Sequence, residues 1–378
     1  MKIIVLGAGL VGSPMAFDLA SDPNFEVTVA DISASALGKL ASYGNISTQC
    51  IDLSDPETVK EVVSPYDLVL DAVPGFMGYQ TYKAVIEAGK NIVDIAFFPE
   101  DPMALDQLAK DMGVTAIMDM GVAPGMSNVL SAYGASKVEE VDLLRIYVGG
   151  LPRIRTRPFE YKAVFSPIDV IEEYTRPARI VQEGKLVIKP ALSEPEFMEF
   201  EGVGTLEAFN SDGLRSLAYT IKGYDMAEKT LRYPGHIFIM EILRETGFFS
   251  YNEINVKGKM IRPIDVTSHL LFPAWKLMPG EEDLTVMKII VEGPAVGVKM
   301  RITYDLLDTY DTQSGVHSMA RTTGYSATAA IRMLASGIYK EKGVILPEYL
   351  GNVPACVDFL LKELKKRGVV YTERIEPL

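Results

Sequence analysis

The first twelve residues constrain the fold of this chain more than any other stretch. Ile3-Ile4-Val5-Leu6 is an apolar run that stops abruptly at Gly7-Ala8-Gly9-Leu10-Val11-Gly12. Such a run, broken by glycines, reads as a buried parallel strand entering a tight turn. The glycines keep a G-x-G-x-x-G spacing, and each has its own task. Gly7 permits the turn, Gly9 lets backbone approach a pyrophosphate, and Gly12 lets the next helix pack close to the strand. That helix is expected from about Val11 to Ala20, with the amides around Leu10 and Val11 aimed at phosphate. A second apolar run, Val27-Thr28-Val29-Ala30, ends at Asp31, 19 positions beyond Gly12. A carboxylate there can hold the adenosine ribose hydroxyls. It repels a 2′-phosphate, and no Arg or Lys follows before Lys39, so the pattern favours NAD over NADP.

The same alternation continues. Helices are expected at Ala34–Tyr43, Thr58–Val63, Tyr79–Ala88 and Pro102–Met112, and strands at Ile46–Ile51, Tyr66–Ala72, Asn91–Ile95 and Thr115–Met118. Six strands alternating with helices point to an α/β fold, a doubly wound Rossmann sheet. Asp52-Leu53 and Val73-Pro74 follow two of these strands at the carboxyl edge, where the cofactor is expected. Gly121-Val122-Ala123-Pro124-Gly125 leaves the sixth strand as a substrate-facing loop.

From Glu140 the pattern turns strand-like, with alternation clearest at Leu284–Glu292 and Lys299–Leu306. An inserted α+β domain with a mixed or antiparallel sheet is expected, serving as substrate platform and dimer surface. An alanine-rich helix, Ser326–Ser336, then suits close packing against the first domain. A helix at Pro354–Lys366 and a strand at Val369–Arg374 complete the tail. The expected division is 1–122 for the nucleotide domain, 123–307 for the insertion, and 308–378 for a segment completing the first domain.

Bulk properties exclude several classes. A formal net charge of −13 over 378 residues argues against nucleic acid and anionic membrane as partners. No apolar run reaches about 18 residues, so no membrane span is expected. Cys50 and Cys356 suit a reducing, cytoplasmic setting, and His236, His269 and His317 lack metal-ligand spacing, so no metal is expected. Three polar clusters remain as candidates for chemistry. Phe209-Asn210-Ser211-Asp212 ends a strand and can contact a substrate carboxylate or amine. Arg232-Tyr233-Pro234-Gly235-His236 sets a histidine at a helix start, and histidine exchanges protons near neutral pH. Arg153, Arg155 and Arg157 form a basic cluster read as solvated surface or as an anion site.

These clusters carry a resemblance. Gly121-Val122-Ala123-Pro124-Gly125-Met126 with Asn128, Tyr147-Val148-Gly149-Gly150, Glu160-Tyr161 with Val164-Phe165-Ser166, Leu206-Glu207-Ala208-Phe209, and Arg232-Tyr233 with Gly235-His236 resemble the saccharopine dehydrogenase-like family along nearly the whole chain. Within it the text is most similar to the lysine-oxidising branch. That resemblance implies an amino-acid substrate, NAD, oxidation of lysine at its ε-carbon with loss of ammonia, and a homodimer or larger homo-oligomer. Departures from the saccharopine-forming branch point the same way. That branch carries an acid where this chain has Ala123, a tyrosine near Phe97 and a phenylalanine where His236 stands. It also has an arginine soon after its Tyr-Lys pair, whereas none follows Tyr161-Lys162 before Arg176. The alternatives are reductive coupling of an amine to an aldehyde, and oxidation of another ω-amino acid. The expected roles are His236 as base or water-orienting group, Tyr161 as its partner, and Arg232, or Arg321 with Thr322, on the α-carboxylate. Phe97, Gly121, Val122, Pro124, Gly125, Phe209 and Ser211 are expected to line the substrate.

Overall fold

The computed structural model describes residues 1–164, 166–278 and 280–378. Phe165, part of one motif above, lies outside the described residues. The chain forms two compact units: Met1–Tyr133 with Ala320–Val370, and Gly134–Met319 with Tyr371–Leu378.

The first part of the chain runs β1 (Lys2–Leu6), α1 (Gly12–Ala20), β2 (Glu26–Asp31), α2 (Ala34–Ala41), β3 (Ile46–Cys50), α3 (Pro56–Val63), β4 (Leu68–Asp71), α4 (Gly75–Glu87), β5 (Asn91–Asp94), α5 (Asp106–Asp111), β6 (Thr115–Ile117) and α6 (Met126–Ala135). Then follow β7 (Val141–Pro152), α7 (Pro167–Thr175), β8 (Ala178–Gln182), β9 (Lys185–Lys189), β10 (Glu196–Phe200), β11 (Gly204–Asn210), α8 (Leu217–Thr220), β12 (Gly223–Arg232), α9 (His236–Glu245), β13 (Ile254–Val256), β14 (Lys259–Ile261) and α10 (Pro263–Trp275). The chain ends with β15 (Asp283–Ala295), β16 (Val298–Thr309), α11 (Ser318–Ala335), β17 (Gly343–Ile345), α12 (Pro347–Gly351), α13 (Pro354–Lys366) and β18 (Tyr371–Pro377).

In the first unit seven parallel strands lie in the order β17-β6-β5-β4-β1-β2-β3. Ile3 to Leu6 are fully buried, as a strand covered by helices on both faces must be. Strand order reverses between β1 and β4, and at such a switch point the carboxyl ends leave a crevice for ligand. α4 begins at Gly75, earlier than the Tyr79 expected, because Pro74 is its N-cap and starts the turn. The expected Pro102–Met112 helix is one turn of 3-10 helix followed by α5.

The second unit holds a mixed sheet in the order β10-β11-β12-β7-β15-β16-β18, with β8 bridging β12 and β9. Among the described residues, only the β12–β7 ladder in it is parallel. β15 and β16 form one long hairpin closed at Val296-Gly297, whose positive φ angles suit the tight turn. The tail differs from expectation. β18 pairs antiparallel with β16, so it joins the second sheet instead of completing the first. Lys137–Glu373 and Arg374–Asp305 ion pairs fasten it there. Among the described residues, no helix is long and apolar enough to cross a membrane.

Candidate functional site

The first unit builds a nucleotide cradle from its glycine turn. Gly7 has φ 104°, and a Cβ there would sit 2.7 Å from the Ala72 carbonyl oxygen. At Gly12 a Cβ would fall 2.2 Å from the Gly7 carbonyl oxygen, so the start of α1 presses on the turn itself. Gly9 has nothing within 4 Å of the equivalent position and is open to an approaching ligand. Val11 caps α1 with no side-chain hydrogen bond, leaving the helix start to its backbone amides. Asp31 accepts from the Ala8 and Ser33 amides, both at 2.6 Å, so its carboxylate is seated beside the turn at the end of β2. An open glycine, a helix N-terminus and a seated carboxylate are the groups a dinucleotide needs.

Leu53 and Val73 are buried in the first core cluster, so their side chains pack inward. Asp52 is exposed and accepts from the Ser54 amide at 2.9 Å, which holds its carboxyl below the ordinary value. Pro74 is exposed at the head of α4. Phe97 is half-buried, and its carbonyl lies 2.7 Å from where a Gly75 Cβ would stand.

The Pro-Gly loop is braced from below. Gly121 donates to the Pro124 carbonyl at 3.1 Å and its own carbonyl accepts from Met126 at 2.9 Å; Val122 accepts from Ser127 at 2.9 Å. A Cβ on Gly125 would meet the Gly121 oxygen at 2.1 Å. Asn128 Oδ1 accepts from the Gly125 amide at 3.3 Å, while its Nδ2 donates to Glu348 at 3.2 Å. Arg321 donates to the Arg367 carbonyl at 2.9 Å and lies over the Tyr325 ring, and Thr322 is fully buried. Arg321 thus ties two segments of the first unit, and Thr322 sits in its interior.

The second unit gathers a separate polar network. β12 delivers Glu228, Thr230 and Arg232 to one face by its two-residue period. The Arg232 side chain, 2% exposed, pairs with Glu173 and donates from Nε to the Tyr174 hydroxyl at 3.0 Å. Its guanidinium also lies 4.6 Å from the Tyr161 ring centre. The Tyr174 hydroxyl meets His236 Nε2 at 2.9 Å, and His236 Nδ1 meets the Phe159 carbonyl at 2.8 Å. A carbonyl only accepts, so Nδ1 carries the proton and Nε2 accepts from Tyr174. Nearby, Glu228 accepts from Ser211 Oγ at 2.7 Å and from the Gly213 amide at 3.1 Å; burial pushes its carboxyl up to about 8.

The expected residues of that unit all sit in or beside this network. His236 is buried, and burial together with the Arg232 charge lowers its pKa to about 3. Both of its ring nitrogens are engaged here, Nε2 by Tyr174 and Nδ1 by the Phe159 carbonyl. Tyr161 is equally buried, its ring tilted 46° to the imidazole at 5.0 Å between centres, and among the described residues its hydroxyl has no hydrogen-bond partner. Arg232 is held by Glu173 instead of facing a free anion site. Phe209 belongs to the core with Tyr174 and Trp275, and Ser211 bridges Glu228 and Thr230. Arg153 and Arg155 pair with Glu282 and Glu160. Glu173, Tyr174 and Glu228 escape the sequence reading; for Glu228 the available signal is its place on β12, two and four residues before Thr230 and Arg232 on the same face.

A stability prediction follows from the imidazole. A histidine whose folded pKa is depressed stabilises above its unfolded value, near 6.5, and that contribution disappears as pH falls through about 3. His236→Gln is expected to flatten the acid limb of the melting curve against pH. An unchanged acid limb would contradict the buried neutral ring.

Comparison with known proteins places the chain. The saccharopine dehydrogenase NADP binding domain matches residues 3–117 and the saccharopine dehydrogenase C-terminal domain matches residues 121–369. The chain belongs to the saccharopine dehydrogenase family. Alpha-aminoadipic semialdehyde synthase of Bos taurus is 24% identical across 98% of this chain, which spans 47% of that protein. Against that bovine relative the chain therefore covers about half the length. Saccharopine dehydrogenase [NADP(+), L-glutamate-forming] of Saccharomyces cerevisiae is 22% identical over 98% of both chains. Carboxynorspermidine synthase of Vibrio cholerae is 23% identical over 94% of this chain and 93% of its own. The solved apo saccharopine dehydrogenase from S. cerevisiae superposes with a TM-score of 0.82 over 99% of both chains at 19% identity, a likeness of fold.

Proposed function

We propose that the chain is an NAD-dependent dehydrogenase that oxidises L-lysine at its ε-carbon, a lysine 6-dehydrogenase. The cradle carries the dehydrogenase reading: Gly9 open, Asp31 seated by two amides, and the start of α1 uncapped. Asp31 with Ile32 beside it supports NAD, since neither offers a cation to a 2′-phosphate. Relatives named for saccharopine and carboxynorspermidine support a substrate with an amine-bearing carbon.

The choice of lysine over a larger adduct rests on charge. Arg232 is engaged by Glu173, Arg179 by Asp212, and Arg321 by the Arg367 carbonyl. A substrate with several carboxylates needs several open cations, and within the second unit Arg232 and Arg179 are already paired, which favours a substrate with one carboxylate. Ala123 and Phe97, where the saccharopine branch has an acid and a tyrosine, favour the same choice.

When bound, the oxidised nicotinamide supplies the hydride acceptor. The ε-carbon gives up a hydride, water adds to the resulting iminium, and the C–N bond breaks. Lysine, NAD and water thus yield the semialdehyde, NADH, ammonium and one proton; ring closure with loss of water gives piperideine carboxylate. Hydride loss needs a neutral amine, and both ring nitrogens of His236 are already hydrogen-bonded, so the reading does not rely on it as the base. Turnover is therefore expected to rise toward alkaline pH as the amine itself deprotonates.

The test is nicotinamide reduction by purified protein with NAD and L-lysine at mildly alkaline pH, with NADP, L-ornithine and saccharopine in parallel. A lysine- and NAD-dependent signal with ammonia in step is expected. Silence with lysine, together with NADPH oxidation by an amine and an aldehyde, would establish reductive coupling instead. The Vibrio relative, matched along nearly its whole length, is the observation that favours this second reading.

A further inference from the structure

The first sheet buries two carboxyls that the proposed reaction leaves idle. Asp71 ends β4 and Asp94 ends β5, directly opposite in the parallel register, and both are fully buried. Asp71 Oδ1 accepts from the Val73 amide at 3.1 Å. Asp71 Oδ2 and both oxygens of Asp94 meet no donor among the described residues, and each carboxyl faces the other. The Ala96 amide lies toward Asp94 without a hydrogen bond of normal geometry. The other titratable groups acting here are Asp119, which adds negative charge, and Tyr82, whose hydroxyl is committed to the Ala116 carbonyl at 2.7 Å. Among the described residues, no cation acts on either carboxyl.

Two buried carboxylates in contact cannot both stay ionised without water or a cation between them. One proton between them turns repulsion into a charge-assisted hydrogen bond and supplies the donor those oxygens lack. We propose that Asp71 and Asp94 share a single proton and act as a positioning pair that ties the turn after β4 to the turn after β5. Those turns carry Val73 and Pro74 on one side and Ala96 and Phe97 on the other, at the carboxyl edge of the sheet. The consequence for cofactor rests on the dinucleotide reading above: losing the proton leaves like charges on adjacent strand ends and loosens that edge. Burial raises both carboxyls. A raised folded value means stability that is complete below the ordinary carboxylate range and lost as pH rises through the folded titration.

The test compares wild type with Asp94→Asn and Asp71→Asn between about pH 5 and about pH 9, reading melting temperature and NAD dissociation constant. Wild type is expected to lose stability relative to Asp94→Asn as pH rises, because an amide keeps the hydrogen bond without the charge. Its NAD dissociation constant is expected to rise by about tenfold, the worth of one pKa unit, while that of Asp94→Asn stays level. Infrared spectra of wild type at neutral pH should show a protonated buried carboxyl band, which answers the question even if a variant fails to fold. Parallel melting curves for wild type and both variants, or no such band, overturn the shared proton. A level NAD affinity in every protein overturns the positioning role. Absence of NAD binding at any pH overturns the dinucleotide reading alone, since the melting curves and the band still decide on the proton.

Discussion

Replacing Arg232 with methionine is expected to destabilise the protein by about 3–5 kcal/mol, the cost of breaking a buried pair from one side. The methionine fills much of the same volume, so the loss is electrostatic more than steric. Glu173 is left without its cation, the Tyr174 hydroxyl loses a donor, and the Tyr161 face loses the guanidinium stacked on it. The Glu173 side chain retains 27% exposure, so water softens the loss and the lower end of the range is expected. Burial already raises Glu173, with Arg232 opposing that shift. Without the arginine its folded value rises further, so the deficit should shrink in acid and grow as pH rises. Arg232→Met combined with Glu173→Gln removes the stranded charge and should regain a large part of the stability. Urea titrations of the single and double variants at two pH values measure all of this. A single variant within about 0.5 kcal/mol of wild type, as at an ordinary surface site, would contradict the buried network.

Gly12→Ala and Gly9→Ala are expected to part company. The Gly12 Cβ would lie 2.2 Å from the Gly7 carbonyl oxygen, backbone against backbone, so the turn or α1 must move. Such overpacking costs about 1–3 kcal/mol, and it displaces the amides that face the phosphates. Gly12→Ala should therefore lose both stability and NAD binding. Gly9 has open space at the same position, so Gly9→Ala should fold and melt as wild type does. Its methyl group enters the space through which a pyrophosphate approaches backbone. NAD affinity should fall at least about tenfold, about 1.4 kcal/mol. Calorimetric titration with NAD beside thermal melts separates the two cases. Equal NAD affinity in wild type and Gly9→Ala would remove the turn from the cofactor site.

The same contrast explains what could be read from the sequence. The glycine turn and Asp31 were legible because their demands are local: a positive φ at Gly7, backbone crowding at Gly12, and a carboxylate beside the Ala8 amide. The parallel sheet was legible from its alternation, except for β17, a three-residue strand that comes after the inserted sheet, outside the run of alternating strands and helices. Residue roles in the second unit depend on partners far away in the chain. For His236 the sequence offers only a histidine at a helix start, because its partners, Tyr174 and the Phe159 carbonyl, lie 62 and 77 residues away. Arg232 looked like a carboxylate receptor and is one, but its carboxylate is Glu173, 59 residues earlier. Leu53 followed a strand at the cofactor edge, yet its apolar side chain gained more by turning into the core. Tail strand β18 offered no apolar face to assign it to either sheet, since its residues are largely exposed; its ladder and ion pairs decide.

The central claim is hydride removal from the carbon that bears the ε-amine of lysine. Lysine deuterated at carbon 6, incubated with NAD and the protein, tests it most directly by mass spectrometry of the reduced cofactor. Deuterium in the nicotinamide, with ammonia released in equal amount, is the predicted result. Transfer from lysine deuterated at carbon 2 instead, or no transfer alongside NADPH-driven joining of an amine and an aldehyde, would contradict it.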